Sequence, residues 1–142
     1  MISFVCGQLC CGKTTYAKAL VNITNGKFVE VGDIVRDIKQ TTDRKLLQDS
    51  KELWVQIVEE LERLSKQYCN TDIIICGVRQ KQILEKFPDS TLLWIECPNN
   101  EREKRYKERN RSGDAISFQT ADNGDISLGI LEVKEYILSN KH

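Results

Sequence analysis

The stretch Gly7-Gln8-Leu9-Cys10-Cys11-Gly12-Lys13-Thr14 places two glycines, a lysine and a hydroxyl within one short loop. Its spacing, GxxxxGK[ST], meets the demands of a phosphate cradle at every defined position. The glycines let successive backbone N–H groups turn inward around phosphate oxygens. Lys13 adds a point charge for the outer phosphates, and Thr14 offers a hydroxyl to Mg²⁺. A helix opening near Lys13 would aim the positive end of its dipole at the same anion. The nucleotide-binding residues predicted from this motif are Gly7, Cys10, Cys11, Gly12, Lys13, Thr14 and Thr15.

Two other stretches carry charge in useful places. In "VEVGDIVR" (29–36), Asp33 and Arg36 lie one turn apart where a helix should open, so both can face one cleft. Aspartate there can accept a hydroxyl proton or organise magnesium water, and arginine can fork onto a phosphate. Taken alone, the pair reads equally as a helix cap and a surface arginine. In "NEREKRYKERNRSGD" (100–114), residues 101–111 hold six basic side chains and three acidic ones. On a helix, Arg102, Arg105 and Arg109 share one stripe, and Lys104, Lys107 and Arg111 another. A solvated face needs no more than this, but a cluster of cations beside a phosphate cradle has a use.

These residues need elements to hold them. The apolar runs "ISFVC" (2–6), "KFVEV" (27–31), "DIIIC" (72–76) and "TLLWIEC" (91–97) predict strands, and "EYILSN" (135–140) predicts a fifth. Helices are expected over 13–21, with Tyr16, Ala17, Leu20 and Val21 on one side, then over 33–39, 46–68, 79–86 and 100–111. The Leu, Trp54, Ile57 and Val58 stripe of the third is a core face. Asn25-Gly26 reads as the end of a helix rather than a hairpin turn. Strands alternating with helices argue for an α/β domain with a mostly parallel sheet and ligands at the carboxyl ends of its strands.

Composition limits the alternatives. A chain of 142 residues fits a single domain over 1–142. Basic and acidic residues balance at 21 each, which argues against a general nucleic-acid binder. No apolar segment is long enough to cross a membrane, and the start lacks a basic leader, so a cytosolic protein is expected. Its six cysteines, at 6, 10, 11, 69, 76 and 97, are then expected as free thiols. No CxxC pair occurs and the one histidine is His142, which gives little support to a zinc site. The cysteines read first as small apolar residues. A thiolate at Cys10 or Cys11, lowered in pKa by Lys13 and a helix N-terminus, is the redox alternative.

Taken in order, "GQLCCGKTT", "VGDIVR", "IIICGVRQ" and the arginine-rich helix resemble the adenylate kinase and dephospho-CoA kinase branch of phosphate-loop kinases, which includes small deoxynucleotide kinases of phages. The resemblance implies a five-stranded, mostly parallel sheet of order 2-3-1-4-5, flanked by helices, with a short helical lid at about 99–114. It implies ATP and Mg²⁺, with Thr14 on the metal. Asp33, Arg36, Gly77 and Arg79 would contact the phosphoryl acceptor. Lys13, Asp33, Arg105, Arg109 and Arg111 would serve catalysis, with Gly113 as a lid hinge. Two departures stand out: Cys76 replaces an aspartate common in the family, and "GVR" lacks the proline of the nucleotide kinases. With Cys76 there, Mg²⁺ would rely on Thr14, nucleotide oxygens and water, helped by Asp33. If the adjacent strand order also follows the family, Cys6, Cys76 and Cys97 gather at one edge of the sheet. The base-binding walls would be reduced or supplied by a second subunit, as in a homodimer. The expected activity is transfer of the ATP γ-phosphate to a nucleoside or deoxynucleoside monophosphate. The alternatives are a kinase for dephospho-CoA, a nucleoside or a nucleic-acid base, and a slow nucleotide-binding regulator.

Overall fold

Four of the apolar runs form strands of one parallel sheet. The computed structural model describes residues 1–40, 51–109 and 116–140. Strand β1 (Ile2–Gly7) leads through the phosphate loop into helix α1 (Lys13–Thr24). Strand β2 (Lys27–Glu30) runs directly into α2 (Val31–Lys39). A short 3₁₀ turn (Lys51–Leu53) precedes α3 (Trp54–Gln67), followed by β3 (Ile73–Cys76), α4 (Lys81–Glu85) and β4 (Thr91–Ile95). Three helices complete the order: α5 (Asn99–Arg109), α6 (Phe118–Leu128) and α7 (Ile130–Ser139). The predicted helical residues 46–50 lie outside the described residues, as do Arg111, Gly113 and the rest of the lid segment from 110 to 114.

Among the described residues the sheet has four strands, in the order β2-β3-β1-β4, not five. Its central strand β1 pairs in parallel with β3 (Val5 opposite Cys76) and with β4 (Cys6 opposite Trp94). The expected fifth strand at 135–140 is instead part of α7. The reason lies upstream of the segment: Ile130, Val133 and Ile137 are buried at helical spacing, so the apolar pattern continues the period of a helix rather than a strand.

Pleating divides the core between the two faces. Phe4 and Cys6 of β1, with Ile73 and Ile75 of β3, point into a layer formed by α2, α3, α4 and α7. There Ile57, Val58 and Leu61 of α3 are buried, with Trp54 packed against them, as the stripe predicted. Val5, Ile74 and Cys76 point the other way, onto Ala17 of α1. Leu20 and Val21 join that layer, whereas Tyr16 is exposed, because it lies off the helix face that meets the sheet. The same pleat corrects the expected gathering of thiols: β3, β1 and β4 are neighbours, but Cys6 and Cys76 point to opposite faces. Asn25, in the left-handed region at φ 53°, ends α1. A Cβ on the following Gly26 would stand 2.5 Å from the Asp72 carbonyl, so the α1–β2 turn packs closely on the start of β3.

Candidate active site

The phosphate loop leaves the carboxyl end of the central strand. Cys10 (φ 61°) and Gly12 (φ 93°) both take left-handed backbone conformations, which turns the peptide N–H groups toward one concavity. Cys11 N–H donates to the Gln8 carbonyl at 3.1 Å and closes the turn. Gly12 is the N-cap of α1, no side chain among the described residues caps that end, and its first turn carries no acid. The opening amides of α1 and its positive dipole end are therefore offered to an anion. Gly7 is required by packing: a Cβ there would press on Cys11 Sγ and stand 2.9 Å from the Ile95 carbonyl. Lys13 and Thr14 are half-buried at the start of α1, and Thr15 is exposed beside them.

The ends of β2 and β3 form the second wall. Asp33 and Arg36 form an ion pair on the exposed side of α2. Arg79, after β3, is held by Asp125 of α6 (Nε to Oδ1, 3.0 Å). That pairing, first, and the nearby Glu30 carboxylate hold the Arg79 guanidinium above its usual pKa. The structure thus brings Asp33, Arg36, Gly77 and Arg79 to neighbouring strand ends, with both arginines already facing carboxylates.

A fifth residue joins them that sequence reasoning passed over. Glu30, the last residue of β2, accepts from Gly32 N–H at 3.2 Å and from the Cys76 thiol at 3.0 Å. Its carboxylate fills the space beside Gly77 (φ 92°) that a Cβ would need. The Thr14 side chain also lies near enough to the Cys76 sulfur to oppose part of the rise in its pKa. Burial, then the charge of Glu30, raise the Cys76 pKa and keep the thiol protonated. An acid inside the apolar run "FVEV" was the available signal. Thr14 and Glu30 therefore approach one thiol, which fits a hard cation such as Mg²⁺ served by oxygen donors, with water and phosphate completing its shell. Among the described residues, no group of three or more His, Cys, Asp or Glu could hold a metal alone.

The arginine-rich helix α5 lies against the outer side of the loop. Arg105 Nη1 donates to the Cys10 carbonyl at 3.4 Å and pairs with Glu101 one turn back (3.4 Å). Arg109 stacks on the Tyr106 ring, its guanidinium carbon 4.9 Å from the centroid. Arg102, which shares their stripe, is buried and held by Asp122 of α6 (2.8 Å). Helix α6, with Asp122 and Asp125 on its inner face, was not foreseen.

Of the cysteines, Cys6, Cys11 and Cys76 are buried, and Cys69 is exposed. Burial pushes Cys6 up from 9.0 to about 12. The folded chain keeps that proton above pH 9 while the unfolded chain releases it, so Cys6 alone should lower stability with rising pH by about 1.4 kcal/mol per pH unit, and Cys76 adds to it in the same direction. Urea midpoints followed from about pH 9 toward 11 should show a shallower alkaline decline in Cys6→Ala than in the parent chain.

A family model described as an AAA domain matches residues 4–126. Curated proteins give no significant sequence match. Among solved structures, shikimate kinase from Acinetobacter baumannii in complex with shikimate is similar at 13% identity and a TM-score of 0.58, over 99% of this chain and 94% of that one. Shikimate kinase from Aquifex aeolicus vf5 is similar at 18% identity and a TM-score of 0.57, over 99% and 95%. An uncharacterized protein from Eubacterium ventriosum ATCC 27560 aligns at 16% identity and a TM-score of 0.57, over 96% and 75%. No helix of the described residues is long and apolar enough to cross a membrane. With its phosphate loop on the central strand of a 2-3-1-4 parallel sheet, the chain belongs to the AAA domain family and has the P-loop kinase-like fold.

Proposed function

We propose that this protein is an ATP-dependent phosphotransferase for a small-molecule acceptor. The observation that carries the proposal is the two-walled site: an uncapped α1 N-terminus under a left-handed loop faces a β2–β3 edge that mixes arginines with carboxylates. The loop amides and Lys13 bind the ATP phosphates, and Thr14 and Glu30 would hold Mg²⁺, which when bound neutralises phosphate charge. Arg36 and Arg79 orient the acceptor, Asp33 positions its reacting group, and Arg105 and Arg109, with Arg111, add positive charge from the lid.

A nucleoside or deoxynucleoside monophosphate is the first acceptor class, because two arginines at the acceptor edge suit a phosphate. A second class is favoured by Glu30 and Asp33. A phosphate oxygen arrives deprotonated and needs no base, whereas a hydroxyl acceptor does. A hydroxylated carboxylic acid would use both features, the hydroxyl meeting a carboxylate and the acid group an arginine. ADP release from MgATP, measured with nucleoside monophosphates and with polyhydroxy carboxylates including shikimate, tests the proposal. Acceptor-stimulated release identifies the class. Slow release that no acceptor changes overturns the kinase reading in favour of a nucleotide-binding regulator.

A further inference from the structure

Arg102 is the largest fully buried side chain, 1% exposed, although it carries a permanent charge. Its Nη1 donates both to the Leu9 carbonyl of the phosphate loop (3.1 Å) and to Asp122 Oδ1 (2.8 Å). Nη2 reaches Asp122 Oδ2 (3.4 Å) and the Asn99 side-chain oxygen, and the guanidinium lies 5.3 Å from the Phe118 ring centroid. Among the described residues its buried Nε has no hydrogen-bond partner. Desolvating this group is costly, and apolar packing would join α5 to α6 without that cost. What an apolar side chain cannot do is hold a carbonyl oxygen.

The Leu9 carbonyl and the Cys10 N–H are opposite ends of one planar peptide, so fixing the oxygen fixes the direction of the N–H. Cys10 is the residue of the loop held left-handed without being glycine, a conformation that costs an L-residue energy unless its surroundings impose it. Arg102 holds the peptide before Cys10, and Arg105 meets the carbonyl after it. A cation on a peptide oxygen also makes the attached N–H a stronger donor. Leu9 itself is clamped among Tyr106, Phe118 and Ala121, from the same two helices.

We propose that Arg102, with Asp122 as its buried counter-ion, is a positioning residue that aims and polarises the Cys10 amide toward a bound phosphate. This rests on residues 7–14 being the nucleotide cradle. The test uses MgADP and tripolyphosphate as probes of the full chain. Arg102→Lys keeps a charge for Asp122 but loses the fork that spans both partners; both probes should bind about tenfold more weakly or worse, and the Cys10 amide resonance of the unliganded protein should move. Asp122→Asn leaves the Leu9 bond in place, so it should lower the melting temperature yet keep MgADP affinity within about twofold. Unchanged affinity in Arg102→Lys, or a loss no greater than that in Asp122→Asn, overturns the proposal. Should Arg102→Lys not fold, the parent chain decides: saturating tripolyphosphate should shift the Cys10 amide and the Arg102 guanidinium resonances together, and an unmoved guanidinium refutes the coupling. A parent chain that binds neither probe overturns the cradle reading itself, and this proposal with it.

Discussion

Lys13→Ala should lower phosphoryl transfer by about 10²–10³-fold or more, equivalent to about 3–4 kcal/mol of lost charge stabilisation. Its ammonium stands at the first position of α1, close enough to the ends of β1 and β3 for its charge to act on both Cys6 and Cys76. That is where the outer phosphates of a nucleotide seated on the loop would lie. The side chain is half-buried and belongs to none of the three hydrophobic clusters, so the melting temperature should change little. Circular dichroism melts beside coupled ADP-release assays separate the two effects. Full activity in Lys13→Ala would remove the cradle assignment.

Glu30→Gln should be the second most damaging change, lowering turnover by about 10²-fold with the fold retained. The amide oxygen of glutamine can still accept from Gly32 N–H, and its NH₂ can donate to the Cys76 sulfur in place of the thiol's bond to the second carboxylate oxygen, so local pairing can be kept while the charge is lost. Titrating Mg²⁺ distinguishes the two roles open to the carboxylate. If Glu30 holds the metal, half-maximal activity in Glu30→Gln should need more Mg²⁺. If it takes a proton from a hydroxyl acceptor, Mg²⁺ dependence should stay as in the parent chain while turnover falls. Parent-level turnover with unchanged Mg²⁺ dependence would remove Glu30 from the site.

The contrast between Lys13 and Glu30 shows what the sequence made legible. The loop was readable because its chemistry demands fixed residue types at fixed spacing, and the central strands because burial on both faces leaves an unbroken apolar run such as "IIIC". Glu30 was hidden because its role depends on which strand lies beside β2, a fact of topology. Helix α6 was hidden for another reason. Its buried positions are Phe118, Ala121, Asp122, Asp125 and Leu128, and two of the five are aspartates. Those carboxylates are buried because Arg102 and Arg79 meet them, so a pattern that scores only apolar residues finds no inward face. The same ion pairs explain why Arg102 looked like one more exposed lid arginine. In α7, the segment "EYILSN" was too short to reveal its period until Ile130 and Val133 were included.

The pairing of β1 has a consequence for how the chain is made. Phe4 is hydrogen-bonded alongside Ile75 and Leu92, so the strand that carries the phosphate loop is synthesised long before either neighbour exists. The helices α1 and α3 can form from local contacts during that interval, but β1 must wait. Until translation has passed β3, "ISFVCG" is an apolar segment with both edges open, and one edge stays open until β4 follows, the kind of surface that invites wrong pairing with other chains. Yield during synthesis should therefore depend on how quickly residues 73–95 emerge, and on whatever shields the first strand until they do.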